Sequence, residues 1–288
     1  MTDRATPVAG PAVLDPPRSQ PLYLRHALAV RIMHWINVVA LTLMFMTGLQ
    51  IFNAHPALYW GTSSYTGRPP WLEIGARENP QGKPIGYTRL LGREFTTTGV
   101  LGLSVDDGRP YAQGFPAWLT VPSHQWLSMA RAWHFFFAWV FVINGLCYVA
   151  YSLVARHLAR DLLPTRADIR GIGASIVDHL RFRHPTGEAA KRYNVLQKLA
   201  YLTVIFVLLP LIILMGFGMS PRLDTLFGGW VAWFGGRQSA RSIHFIVAWM
   251  LVAFVLIHVF EVIITGFWNN VRSMITGRYR VPKDAAHE

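Results

Sequence analysis

Ser242–Trp268, SIHFIVAWMLVAFVLIHVFEVIITGFW, is an apolar run interrupted by two histidines, His244 and His258, fourteen residues apart. Read as a helix, the run places the two imidazoles about 21 Å apart along its axis, and fourteen steps of about 100° bring the second within about 40° of the first. Both therefore lie on one face, near opposite surfaces of a bilayer. Ionisable groups inside a spanning segment are costly enough to be read first as functional, and neutral imidazole is a common axial ligand of haem iron. One helix then supplies half of the ligands for two stacked haems, unless each histidine simply bonds a neighbouring helix. The haem reading requires two partner histidines at matching depths.

Three more apolar stretches are long enough to cross a hydrocarbon core of about 30 Å. The first span is expected over 31–53, with His34 in its first turn, followed by Trp35. The second covers 127–154 and carries His134 near its start, with Asn144 and Cys147 as interhelical packing groups. The third covers 195–219, lacks histidine and is expected to kink at Pro210. The fourth is 242–268. Alternating the spans puts His34 and His258 at one depth and His134 and His244 at the other, the arrangement two six-coordinate haems in a helical bundle need. The fold expected is an all-α membrane protein, a four-transmembrane-helix haem-binding bundle with a long ordered periplasmic loop.

Composition supports a membrane chain. Of 288 residues, 52% are hydrophobic and 15% charged, with a mean hydropathy of +0.29. The net charge of +12 is spread over the segments between apolar runs rather than gathered in a stripe, which argues against nucleic acid as a partner. A single cysteine, Cys147, excludes an intrachain disulfide, an iron–sulfur ligand set and a C-x-x-C-H haem attachment, so any haem is held non-covalently. Residues 1–24 are polar and proline-rich, expected to be a disordered cytoplasmic N-terminus without a cleavable signal.

The segments between spans set the orientation. Residues 155–194 are rich in arginine, and 169–182 carries an apolar stripe with basic flanks that suits the membrane surface; His157, His179 and His184 are read there as solvated. The tail, 281–288, follows another basic stretch. Loop 54–124 nearly balances, with six basic against five acidic residues. Lysine and arginine favour the cytoplasmic side, so both termini are expected there. The long loop is rich in glycine and proline but also in aromatics, Tyr59, Trp60, Trp71, Tyr87 and Trp118 among them, which predicts an ordered cap with short strands around 96–105 and either a docking surface or self-packing. Arg31, Arg131 and Arg241, close to the histidines, are placed either to pair with haem propionates or to snorkel to the interface.

RIMHW in the first span, RAWHF in the second, YNVLQKLAY opening the third, and HFIVAW with IHVFEV in the fourth resemble membrane cytochrome b subunits of the thiosulfate-reductase type, related to those of formate dehydrogenase and nickel–iron hydrogenase and to the bacterial cytochrome b-561 superfamily. The resemblance covers roughly 25–280, including TTGVLG and FPAWLTVPS in the loop. It implies two haem b groups in the bacterial inner membrane, with electrons passing between the quinone pool and a periplasmic redox subunit of molybdopterin, iron–sulfur or nickel–iron type. It also directs attention to quinone handling near the inner haem, where Glu261, Gln197 and Lys198 lie; Glu261 is there either a proton-exchanging group, a structural partner of Lys198 or a snorkelling acid. Two other functions remain compatible with the sequence: a self-sufficient quinone-linked haem oxidoreductase acting on a small diffusible oxidant, and a haem-free membrane anchor for a soluble partner.

Overall fold

The computed structural model describes residues 22–64, 67–106, 108–156, 158–181, 183, 193–226 and 228–280. Strand β1 (Leu22–Leu24) leads into helix α1 (Leu28–Asn53). A cap follows, made of strands β2 (Ala57–Leu58), β3 (Leu72–Glu78), β4 (Pro84–Leu90), β5 (Arg93–Thr96), β6 (Gly102–Asp106) and β7 (Arg109–Gln113). The chain re-enters the bundle as α2 (Leu127–Val154), then forms the short helices α3 (Arg166–Arg170) and α4 (Ile172–Leu180). Helices α5 (Val195–Thr203) and α6 (Leu209–Gly218) make one rod, and α7 (Pro221–Leu226) connects it to α8 (Arg237–Ile264). Helix α9 (Phe267–Thr276) and strand β8 (Arg278–Arg280) complete the described chain.

Among the described residues four rods, α1, α2, α5–α6 and α8, are long and apolar enough to cross a membrane. Their outward side chains, such as Val39, Phe136, Leu146 and Leu256, are exposed apolar groups suited to lipid. Within the bundle α1 packs on α2 through buried Asn144, whose amide donates to the Met33 carbonyl at 2.8 Å and to Asn37 Oδ1 at 2.7 Å. Helix α6 packs on α8 through Met215 and Ala240, with Val231 of the connecting segment filling the same core. Pro210 has no N–H for the Phe206 carbonyl, and the rod answers with a wider π-helical turn over Val204–Leu208.

The spans differ from their sequence-based limits at the ends. The fourth begins earlier, at Arg237, because Arg241 is not lost to solvent: it donates to the carbonyls of His55 and Ala57 in the cap. It also stops earlier, at Ile264. Gly266, at φ +106°, turns the chain, so Phe267 and Trp268 open a separate amphipathic helix instead of continuing the span. The first span starts at Leu28. Of the N-terminal stretch expected to be disordered, Leu22–Leu24 is a strand paired antiparallel with β8, Tyr23 opposite Tyr279; residues 1–21 and the tail 281–288 lie outside the described residues. The two ends of the described chain therefore meet at one end of the bundle, and the cap sits at the other.

The cap is built on an antiparallel sheet in the order β2–β3–β4–β5, crossed by the β6–β7 hairpin. The crossing is so close that a Cβ at Gly102, already at φ +86°, would stand 2.2 Å from the Gly75 carbonyl oxygen. Leu58, Leu72, Ile74 and Phe115 from the cap form one core with Leu49 and Phe52 of α1, and Phe245 of α8 packs against it. Polar bonds lock the same junction. Trp71 Nε1 donates to Ser242 Oγ at 2.9 Å, Ser242 Oγ donates to the Tyr59 carbonyl at 2.6 Å, and the Phe115 N–H donates to Asn53 Oδ1 at 2.7 Å. The cap is thus continuous with the bundle core, which fixes the loop ends of α1 and α8 where His244 sits.

Candidate functional site

The four histidines come together in two pairs, each across helices. At the cap end His134 of α2 faces His244 of α8, with ring centres 6.3 Å apart and planes inclined by 62°. At the termini end His34 of α1 faces His258 of α8, with centres 6.4 Å apart and planes at 60°. Metal–imidazole bonds of about 2 Å, plus about 1.1 Å from nitrogen to ring centre on each side, put two rings bound through one iron roughly 6 Å apart. Both pairs stand at that separation. Among the described residues no group of three or more His, Cys, Asp or Glu side chains is arranged to hold a bare metal ion. Paired imidazoles suit a haem, whose porphyrin supplies the remaining ligands.

The cap-end pair is held in a defined orientation. His134 Nδ1 lies 3.0 Å from the Met44 carbonyl and 3.2 Å from Thr47 Oγ1, and His244 Nδ1 lies 2.9 Å from the Ile212 carbonyl. An imidazole that donates its Nδ1 proton to a carbonyl keeps the Nε2 lone pair for a metal, the second-shell arrangement of many histidine ligands. Each accepting carbonyl is followed one turn later by a glycine on which the imidazole rests. A Cβ at Gly48 would meet His134 Cε1 at 3.3 Å, and one at Gly216 would meet His244 Cε1 at 3.5 Å.

The termini-end pair is set by rings instead. His34 meets Trp35 edge-on at 5.3 Å, and its buried Nδ1 has no hydrogen-bond partner among the described residues. His258 stacks on Phe254, with centres 6.1 Å apart and planes 14° apart, and Phe254 in turn meets Tyr201 edge-on.

The expected propionate arginines have varied surroundings. Arg31 donates from its guanidinium to the Ile275 carbonyl at the end of α9, while its buried Nε lacks a partner among the described residues. Arg131 lies exposed with its guanidinium 5.7 Å from the Phe135 ring centre. Arg241 braces the cap through His55 and Ala57.

Around the termini end, Gln197 and Asn194 form a reciprocal helix cap on α5, with the Gln197 N–H donating to Asn194 Oδ1 at 2.8 Å. Lys198, buried, donates to Asp168 Oδ2 at 2.8 Å and so ties α3 to the bundle. That bond, with a second from the Thr165 backbone, holds the Asp168 carboxyl down to about 2. Glu261 does not pair with Lys198. Its partner is His179 of α4, with Nε2 3.3 Å from Glu261 Oε1. His179 is exposed, as read from the sequence, and makes this contact from the surface; its helix α4 lies beside α5. His157 and His184 lie outside the described residues. Gly48, Gly216 and Phe254 have no distinguishing signal in an apolar run, and only the tertiary pairing reveals them.

A family model described as prokaryotic cytochrome b561 matches residues 25–277. Over 245 residues the chain is 25% identical to the "Putative protein-methionine-sulfoxide reductase subunit YedZ1" of Azospira oryzae, covering 84% of this chain and 91% of that protein. It is 27% identical over 171 residues to the "Probable Ni/Fe-hydrogenase B-type cytochrome subunit" of Cupriavidus necator, covering 55% and 70% respectively. No solved structure matches the chain. The family match takes in all four spans, the cap and both histidine pairs: this chain belongs to the prokaryotic cytochrome b561 family of multi-pass, haem b-binding electron-transport proteins.

Proposed function

We propose that the chain is a di-haem cytochrome b subunit that moves electrons across the bacterial inner membrane between quinone and a redox partner bound at the cap. The single observation that carries this reading is the pair of cross-helix histidine couples at two depths, each with the ring separation of a bis-imidazole iron site. His134 and His244 hold one haem b, His34 and His258 the other, and haem supplies one-electron carriage when bound. Met44, Thr47 and Ile212 orient the cap-end imidazoles. Arg31, Arg131 and Arg241 are the cations nearest the pairs in sequence and are assigned to the propionates; the unpartnered Arg31 Nε supports this for the termini-end haem.

The basic connections at the termini end support assigning that end to the cytoplasm and the cap to the periplasm. Quinone is assigned to the termini end, with Glu261 near the reacting hydroxyls and Gln197 and Lys198 shaping the site. Support for a partner comes from the relatives, whose names describe subunits of a reductase and a hydrogenase; a molybdopterin-type oxidoreductase is the partner class proposed. The test is a haem assay on the purified chain, followed by addition of a short-chain quinol. Two b haems per chain, both reduced by quinol, are expected. One haem, or two that quinol leaves oxidised, would overturn the reading.

A further inference from the structure

We propose that His179 and Glu261 form the proton route between the termini-end quinone site and cytoplasmic water. This rests on the quinone reading above. Glu261 lies on α8 three residues beyond His258, about 4.5 Å farther along the helix, and its side chain is 19% exposed. His179 Nε2 lies 3.3 Å from its Oε1, while the imidazole is 40% exposed on the amphipathic α4. The pair therefore joins a mostly covered carboxylate beside a haem-bearing helix to a group that water reaches.

The choice of partner distinguishes a relay from a structural clamp. A fixed ion pair is best served by lysine or arginine, and Lys198 stands on the adjacent rod, yet it is committed to Asp168 at 2.8 Å. That bond anchors α3, and with it α4, so Lys198 and Asp168 position His179 rather than neutralise Glu261. Tyr201 of α5 lies within electrostatic reach of Glu261, and Arg25 before α1 and Tyr148 of α2 lie within reach of Tyr201 in turn, with Asp178 adjacent to His179 on α4. An imidazole offers a donor on one ring nitrogen and an acceptor on the other, and at 3.3 Å a proton passes once the contact tightens or through one bridging water.

Oxidation of one quinol releases two electrons, taken singly by b-type haem iron as the acceptor, and two hydroxyl protons. Each proton passes to the Glu261 carboxylate, then to His179 Nε2, and leaves from Nδ1 to water. Quinone reduction runs the same route inward with two protons and two electrons taken up.

The test uses the full two-haem chain in lipid nanodiscs, with His179→Ala, His179→Gln and Glu261→Gln. His179→Gln keeps a neutral polar side chain beside Glu261 but cannot relay a proton, which separates transfer from positioning. All three variants should bind haem and be reduced by dithionite as the wild type is. Reduction by a short-chain quinol should slow by at least about tenfold, with an altered pH profile, as expected for loss of a positioned acid–base group. Added imidazole should restore His179→Ala and leave Glu261→Gln slow. A redox-induced infrared difference spectrum should show a carboxyl band that Glu261→Gln lacks. Wild-type quinol rates and pH profile in the variants, or a carboxyl band unchanged in Glu261→Gln, would overturn the proposal. Quinol that fails to reduce the wild-type haems would instead remove the quinone reading on which it rests.

Discussion

Gly48 offers a perturbation whose sign separates the haem account from plain helix packing. Glycine inside a helix costs about 1 kcal/mol relative to alanine, so at an idle position Gly48→Ala would stabilise the chain. At Gly48 the added Cβ lies 3.3 Å from His134 Cε1 and 3.6 Å from Nδ1. The ring must yield by a few tenths of an ångström, which stretches the 3.0 Å approach to the Met44 carbonyl. Gly48→Val adds two methyl carbons a further bond outward, about 1.5 Å, into the volume the imidazole occupies, and the ring must leave its position. The matching change at Gly216 is milder, because there the Cβ stands 3.5 Å from His244 Cε1, an ordinary contact. The assay is haem per polypeptide with a reduced-minus-oxidised spectrum. Gly48→Val should lose the cap-end haem and keep the other, Gly48→Ala should weaken the cap-end haem while helix stability holds or rises, and Gly216→Ala should retain both. Two unperturbed haems in Gly48→Val would refute the cradle argument.

Asn144→Leu removes two hydrogen bonds between α1 and α2 and should cost about 1 kcal/mol, the scale of interhelical polar contacts in membranes, read by thermal unfolding in detergent. Trp71→Phe deletes the bond to Ser242 Oγ and should weaken the cap–bundle junction by about 1 kcal/mol, read as faster hydrogen exchange in β3. Because Lys198 lowers the Asp168 carboxyl to about 2, below its unfolded value of about 3.9, the α3 anchor should be fully present above about pH 4 and lost as pH falls through about 2. Hydrogen exchange over 166–181 should rise across that window in the wild type, and Asp168→Asn should show the raised exchange already at pH 7.

The histidine pairing could be foreseen because an imidazole is conspicuous in an apolar run and helical spacing fixes its depth. His244 and His258 share a face by arithmetic, and His34 and His134 fall at matching levels once the spans alternate. The helix ends were harder to read. Arg237 and Gln238 look like loop, yet α8 begins there because the cap accepts bonds from Arg241; and TGFW reads as continuing the span, although Gly266 adopts a left-handed turn. The cap's sheet was hidden for another reason. Strands β3 and β4 mix glycine with Glu73, Arg77 and Arg89 and lack clean alternation, because one side is an ion-pair surface, Arg89 to Glu73 and Glu94 at 2.6 and 2.9 Å, rather than solvent alone. The His179–Glu261 contact joins residues far apart in sequence, and no local pattern announces it.

The central claim is the assignment of four histidines to two haems. Potentiometric titration of the wild type and of His34→Ala, His134→Ala, His244→Ala and His258→Ala, with haem quantified in each, addresses it most directly. The account predicts two b-type components in the wild type, loss of the same component in His134→Ala and His244→Ala, and loss of the other in His34→Ala and His258→Ala. A single component in the wild type, or His134→Ala and His244→Ala losing different ones, would contradict it.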